Sequence, residues 1–257
     1  MLQPGVDGDA AYNSTMSFPR FHCPGLVPGA EMDLPEAAAH HAVRVLRLAA
    51  GDSLVLFDGE GGEVHAQISA ADKRGVTVRA GERQPIERES SLVVTLVQSL
   101  QAADKMDYTV QKAVELGVTR IIPVESRRSV VRLDGARADK RVQHWRQVAV
   151  SACEQCGRNR VPEIAAVQPL AQWLGLQRNP ATRLLLSPAA EHSLATLPRP
   201  DAVELLIGPE GGLDDSEVQA AALGGYHGVR LGPRVLRTET AGLAAVAAMQ
   251  ALWGDFL

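Results

Sequence analysis

Cysteine is scarce in this 257-residue chain, with three residues (Cys23, Cys153 and Cys156). That is too few for a disulfide framework. Aromatic residues make up 4% against 46% hydrophobic residues overall, so the core must be aliphatic, built from Leu, Val and Ala. No apolar run reaches the roughly 18 residues that a bilayer span requires. No charged segment followed by an apolar stretch opens the chain, so no secretory signal is expected. Together these absences point to a soluble protein of a reducing cytoplasm, long enough for two small domains or one large one. Net positive charge is lacking as well, the formal value being −4. That argues against nucleic acid until the distribution is read. From Arg120 to Arg160 ten Lys/Arg stand against four Asp/Glu. Of the 26 basic residues 22 are arginine, whose planar fork suits phosphate. A clustered basic stretch is the footprint of a nucleic-acid binder; a solvated helix face gives the same count.

Two loops near the C-terminus carry the most specific signal. One is Ile207-Gly-Pro-Glu-Gly-Gly-Leu213, and the other is Leu231-Gly-Pro-Arg-Val-Leu-Arg-Thr-Glu-Thr-Ala241. Each follows a short apolar run (Val203 to Ile207; Val229 to Leu231) and precedes a helical pattern. Gly208, Gly211 and Gly212 let a ligand approach the main chain closely. Pro209 and Pro233 stiffen the turns. Asp214 with Glu217 fits a capping box that starts one helix. Thr238-Glu239-Thr240 opens another, running to Trp253. Loops at the carboxyl ends of strands are where α/β layers bind ligands. A pair of well-made turns is the plain alternative, but Arg234, Arg237 and Glu239 stand where most turns carry inert polar residues. Neither loop spells Gly-x-Gly-x-x-Gly, and no Gly-x4-Gly-Lys-Ser/Thr occurs, which sets aside dehydrogenase and P-loop readings.

Along the chain, residues 1–16 lack periodicity and are expected to form a disordered extension. Residues 17–83 read as a small β unit with one helix, Glu36 to Leu48. Its strands are Leu54 to Phe57, Glu63 to Ile68 and Val76 to Val78, the first two joined by the turn Asp58-Gly-Glu-Gly-Gly62. Arg44 and Arg47 are expected one turn apart on one helix face. Residues 84–91, polar and containing Pro85, form a linker. Residues 92–257 alternate strand and helix and imply a mostly parallel sheet. The strands expected are Leu92 to Val97, Arg120 to Val124, Glu163 to Val167 and Arg183 to Ser187. The helices are Asp104 to Leu116, with Lys105 pointing away from the core, and Asp139 to Gly157. Cys153-x-x-Cys156 closes a helix and has no second ligand pair at suitable spacing, so neither zinc nor redox chemistry is expected.

The two C-terminal loops, with Glu115-Leu-Gly117 and Ala152-Cys-Glu-Gln-Cys-Gly-Arg-Asn159, closely resemble the SPOUT class of S-adenosylmethionine-dependent RNA methyltransferases. Within it the chain resembles the ribosomal RNA small subunit methyltransferase E family, over about Phe18 to Phe256. The resemblance implies an α/β methyltransferase domain with a trefoil knot, preceded by a PUA-like RNA-binding β-barrel. It implies methylation of N3 of a decoding-site uridine in 16S rRNA of the 30S subunit by a homodimer. It also implies a cofactor pocket made by Leu186 and Ser187, by Ile207, Gly208, Pro209, Glu210, Gly211 and Gly212, and by Leu231, Gly232, Val235, Leu236, Thr238 and Ala241. Methyl transfer from a sulfonium requires no metal; positioning and electrostatics suffice. Arg237, with Arg234 as alternate, is the candidate for stabilising negative charge on the uracil or holding a flanking phosphate. Glu239 is either a base or orienting carboxylate, or an acid that complements its helix dipole. Arg20, Arg44, Arg47, Arg127 and Arg128 are candidates for RNA contact, and Glu154, Arg158 and Asn159 for contact with the base or its phosphates. Methylation of a ribose 2′-oxygen or of tRNA on the same fold, and an RNA-binding assembly factor without catalysis, remain the alternatives.

Overall fold

The computed structural model describes residues 18–72, 75–176 and 181–256; the extension expected over residues 1–16 lies outside them. The chain first forms β1 (Arg20–His22), β2 (Glu31–Asp33), α1 (Glu36–His40), β3 (Ser53–Phe57), β4 (Glu63–Ala71) and β5 (Val76–Gln84). These strands make one sheet in the order β1-β3-β4-β5-β2, antiparallel except for β1 beside β3. Its pattern follows the two-residue strand period. Along β4, Val64, Ala66 and Ile68 are buried while His65, Gln67 and Ser69 are exposed. The buried set packs with Phe21, Leu54, Leu56 and Val78 into a core of its own.

The helix expected over residues 36–48 is shorter and irregular. After α1 the backbone widens into a π-helical turn, His41–Val45. It closes through Leu48 N–H donating to the Ala42 carbonyl at 2.9 Å, with Arg47 in the left-handed region at φ +59°. Such a φ is costly for a side chain with a Cβ. Arg44 and Arg47 therefore do not share a helix face. They bracket an exposed Arg-Val-Leu-Arg bulge in which Val45 is 61% exposed.

The rest of the chain forms β6 (Val93–Ser99), α2 (Ala103–Glu115), β7 (Arg120–Glu125), α3 (Gly135–Cys156), β8 (Glu163–Ile164), β9 (Gln168–Pro169) and α4 (Leu170–Leu174). Then come β10 (Thr182–Leu186), β11 (His192–Ser193), β12 (Ala202–Ile207), α5 (Asp215–Leu223), β13 (Tyr226–Arg230) and α6 (Thr238–Trp253). The sheet order is β11-β13-β10-β12-β6-β7-β8, with β9 also on β7, and every pairing is parallel. Both faces are covered. Leu96, Leu184 and Leu205 face α2, α3 and α6, where Met106, Trp145 and Met249 meet them. Their neighbours Val97, Leu185 and Leu206 face α4 and α5 through Leu170, Trp173 and Ala221. Each such fully buried aliphatic side chain contributes roughly 1.5–3 kcal/mol. β13 starts earlier than the apolar run suggests: His227 and Gly228 interrupt the pattern, but pairing with β10 extends the strand back to Tyr226. Among the described residues no helix is long and apolar enough to cross a membrane.

A buried charged joint fastens the two sheets together. Glu63, 4% exposed, accepts from Arg20 Nη1 at 2.7 Å, Arg88 Nη1 at 2.8 Å and Asn159 Nδ2 at 3.2 Å. Burial alone would raise the Glu63 carboxyl, but the hydrogen bonds from Arg88, Arg20 and Asn159 outweigh it and take its pKa down to about 2. Arg158 pairs with Glu89 and donates to the carbonyls of Val114 and Val118 at 2.8 and 2.9 Å. Glu154 accepts from the backbone N–H of His22 at 3.0 Å. The glycine-rich turn after β3 belongs to this joint: Gly61, in the positive-φ region at +113°, donates its N–H to the Asn159 carbonyl at 3.2 Å.

Candidate functional site

The parallel order brings three strand ends to one edge, after β10, β12 and β13. The loops that follow enclose a cavity of about 410 Å³, within the usual range for small-molecule sites. All of the residues expected to hold a cofactor border it: Leu186 and Ser187, the run from Ile207 to Gly212, Leu231, Gly232, Val235, Leu236, Thr238 and Ala241. Arg234 borders it too, as do Leu185, Pro188, Leu213 and Val218, which sequence reading left out. The lining is mainly aliphatic side chains and glycine-loop backbone, with Glu210 and Arg234 the charged members. Gly212 at φ +68° and Gly232 at φ +69° take angles that side chains rarely adopt.

Each loop is held by its flanks. After the first, Asp214 and Glu217 form the expected capping box: Glu217 N–H donates to Asp214 Oδ1 at 2.8 Å, and Asp214 N–H to Glu217 Oε2 at 3.0 Å. Hydrogen bonds from Ser216 and the Glu217 backbone hold the Asp214 carboxyl below the usual carboxylate range. The segment after β7 then clasps this loop. Arg127 N–H donates to Glu217 Oε1 at 2.7 Å, and Arg128 Nη1 to the carbonyls of Gly211 at 3.2 Å and Leu213 at 3.4 Å. The second loop ends at Arg237, the N-cap of α6, whose carbonyl accepts from Thr240 and Ala241 at 2.9 and 2.7 Å.

Arg237 lies outside the cavity lining, exposed at its edge. Glu239 also lies outside the lining, and its carboxylate meets Lys105 Nζ at 3.2 Å. Its own backbone N–H, then Lys105, hold its carboxyl below the ordinary value, against the effect of burial. Lys105 does not simply point away: it joins the site from α2. A lysine in the first turn of an amphipathic helix gives no signal of this in one sequence.

The RNA-contact candidates divide. Arg44 and Arg47 are exposed. Arg127 is exposed and pairs with Asp214 at 3.3 Å, while Arg128 is spent on loop carbonyls. Arg20, Arg158 and Asn159 are bonded within the joint, the last two being 4% and 0% exposed. Glu154 belongs there as well. Their acid partners, Glu63 and Glu89, lie far away in sequence, so the joint itself gives no local signal. Much of the basic helix is likewise paired, with Arg141, His144 and Trp145 all gathered on Asp107. Cys153 is buried, and desolvation pushes its thiol up to about 12, which makes it a poor nucleophile.

Residues 88–250 match the model of an RNA methyltransferase domain, and residues 34–80 match an RNA methyltransferase PUA domain. The ribosomal RNA small subunit methyltransferase E of Buchnera aphidicola is 32% identical over 225 residues, covering 87% of this chain and 92% of the relative. A crystal structure of the Neisseria gonorrhoeae enzyme of that name, bound to S-adenosyl methionine, has a TM-score of 0.87 at 40% identity, covering 93% of this chain and all of that one. A Legionella pneumophila protein solved in complex with the same cofactor has a TM-score of 0.88 at 37% identity over 93% of this chain and 99% of the other. The chain is a member of the ribosomal RNA small subunit methyltransferase E family.

Proposed function

We propose that this protein transfers a methyl group from S-adenosylmethionine to N3 of a decoding-site uridine in 16S rRNA, in the cytoplasm. The observation that carries the reading is the meeting of three strand-end loops in one cavity whose wall is mostly main chain and aliphatic side chain. An adenosine-and-methionine ligand suits such a wall: backbone N–H and C=O groups can pair with adenine and ribose, while Leu185, Leu213 and Val218 supply apolar contact. Left-handed Gly212 and Gly232 keep side chains out of its path. When bound, S-adenosylmethionine supplies an activated methyl group.

The acceptor enters from the side where Arg234 and Arg237 are exposed. Uridine N3 gives its proton to solvent water, and the negative charge spreads to the neighbouring carbonyl oxygens. Arg237, placed at the cavity edge, stabilises that charge electrostatically. Arg44 and Arg47 on their bulge contact flanking RNA.

The protein acts as a homodimer in this reading. Val218 and Val235, 44% and 80% exposed, flank the cavity, and a second copy would cover them. Sedimentation at assay concentration is expected to show a dimer; a fully active monomer would remove this part.

The deciding experiment is transfer from labelled S-adenosylmethionine to unmodified 30S subunits, free 16S rRNA and bulk tRNA, with the product nucleotide identified by mass spectrometry. 3-Methyluridine in 16S rRNA is expected. A ribose-methylated or tRNA product would overturn the substrate, and cofactor binding with no transfer would overturn catalysis. Arg128→Ala offers a check on the pocket itself. It is expected to weaken donor binding several-fold in calorimetry, since it frees the carbonyls of Gly211 and Leu213, while rRNA binding changes less.

A further inference from the structure

Lys105 stands between two carboxylates from different loops. Its ammonium is 3.2 Å from Glu239 Oε1, in the first turn after the second loop, and 3.8 Å from Glu210 Oε1, in the first. It comes from a third element, α2. Its side chain is 30% exposed, Glu239's 17%. The second Glu239 oxygen is buried and accepts from no other residue among those described.

These facts have an electrostatic consequence. Without Lys105, two like charges would face each other across the ends of both loops, one of them largely buried. Like charges so placed repel, and a buried carboxylate without a cation is costly. A single ammonium with three N–H donors removes both problems.

We propose that Lys105 is a positioning residue that clamps the two glycine loops to each other and to α2, holding the cavity between them in its ligand-ready shape. Glu210 and Glu239 are the two anchors of the clamp. Glu239 thereby has a role that is neither general base nor a helix-dipole acid alone. Its carboxylate is already engaged and held in the ionised form, which suits an anchor better than a proton acceptor working near neutral pH. The part of this inference that concerns the methyl donor rests on the function proposed above; the clamp itself does not.

The test uses the full-length protein with Lys105→Met, Lys105→Arg, Glu239→Gln and the double variant Lys105→Met/Glu239→Gln. The first readout is amide hydrogen exchange without ligand. Lys105→Met is expected to speed exchange in both 208–213 and 231–241, with the sheet cores unchanged and Lys105→Arg restoring much of the protection. Faster exchange in one loop only, or in neither, overturns the clamp. The second readout is S-adenosylmethionine affinity by calorimetry. Lys105→Met is expected to weaken it roughly tenfold. The double variant should bind about as weakly as Lys105→Met alone, because both changes break one contact. Additive losses would overturn a shared role. Rates at saturating donor add a third readout: Glu239→Gln should keep most of its kcat as an anchor, whereas loss of kcat with donor affinity intact would make Glu239 the base and overturn the assignment. If the parent protein bound no S-adenosylmethionine, the proposed function would fail while the exchange measurement still judged the clamp.

Discussion

An Arg237→Ala protein is expected to bind S-adenosylmethionine nearly as tightly as its parent and to methylate roughly a hundredfold more slowly or worse, the loss typical when one charge-stabilising donor is removed. The structural grounds are specific. The Arg237 side chain is exposed at the start of α6 and makes no side-chain cap there. What holds that end of the helix is the Arg237 carbonyl, which alanine retains. The cavity wall passes through Leu236 and Thr238 on either side and leaves Arg237 out. Removing the guanidinium therefore spares the pocket and takes a cation from the side where the acceptor is proposed to enter. Calorimetry with donor and single-turnover transfer to 30S subunits separate the two effects. Equal losses in both would mean that Arg237 only shapes the loop, and Arg234 would inherit the catalytic role.

Glu63→Ala is expected to be the most destabilising single change outside the aliphatic core, by about 3–5 kcal/mol, because removing one member of a buried charge set strands the others. Arg20, Arg88 and Asn159 would lose a shared acceptor that is 4% exposed. The same carboxylate gives a signature in pH. Its pKa is about 2 when folded against an ordinary value of 4.5. A depressed carboxyl pKa means the contribution is complete above the unfolded value and is lost as pH falls through the folded one. A shift of this size corresponds to roughly 3 kcal/mol, lost between about pH 4.5 and pH 2. Urea unfolding across that window should show the slope in the parent and a flatter line in Glu63→Gln. An unchanged slope in the variant would place the acid sensitivity elsewhere.

The alternation of strand and helix and the two glycine loops could be read from one sequence because both are local signals. Asp214 and Glu217 sit three residues apart, so their capping box is visible before any fold is known. The apolar runs of β6 and β12 mark strands buried on both faces by composition alone. What escaped depends on partners distant in the chain. Asn159 and Glu63 are separated by 96 residues, and nothing near either one announces the other. In the Cys-Glu-Gln-Cys-Gly-Arg-Asn segment, Arg158 and Asn159 hold the joint, a role that only the distant partners reveal. The partners of Lys105 are hidden for the same reason: Glu210 and Glu239 lie over a hundred positions away. The π-helical turn near His41 escaped because the composition of residues 36–48 suits an ordinary helix equally well.

In the joint between the sheets the Arg20–Glu63 and Arg158–Glu89 pairs are largely shut away from solvent, so dissolved salt weakens them little. Contacts between arginines and RNA phosphates are the opposite, fading steeply as salt rises. Under the proposed function the joint would make the protein a fixed caliper, with the Arg44–Arg47 bulge on one jaw and the cavity on the other. Salt would then set how long RNA stays bound without changing the span between the two.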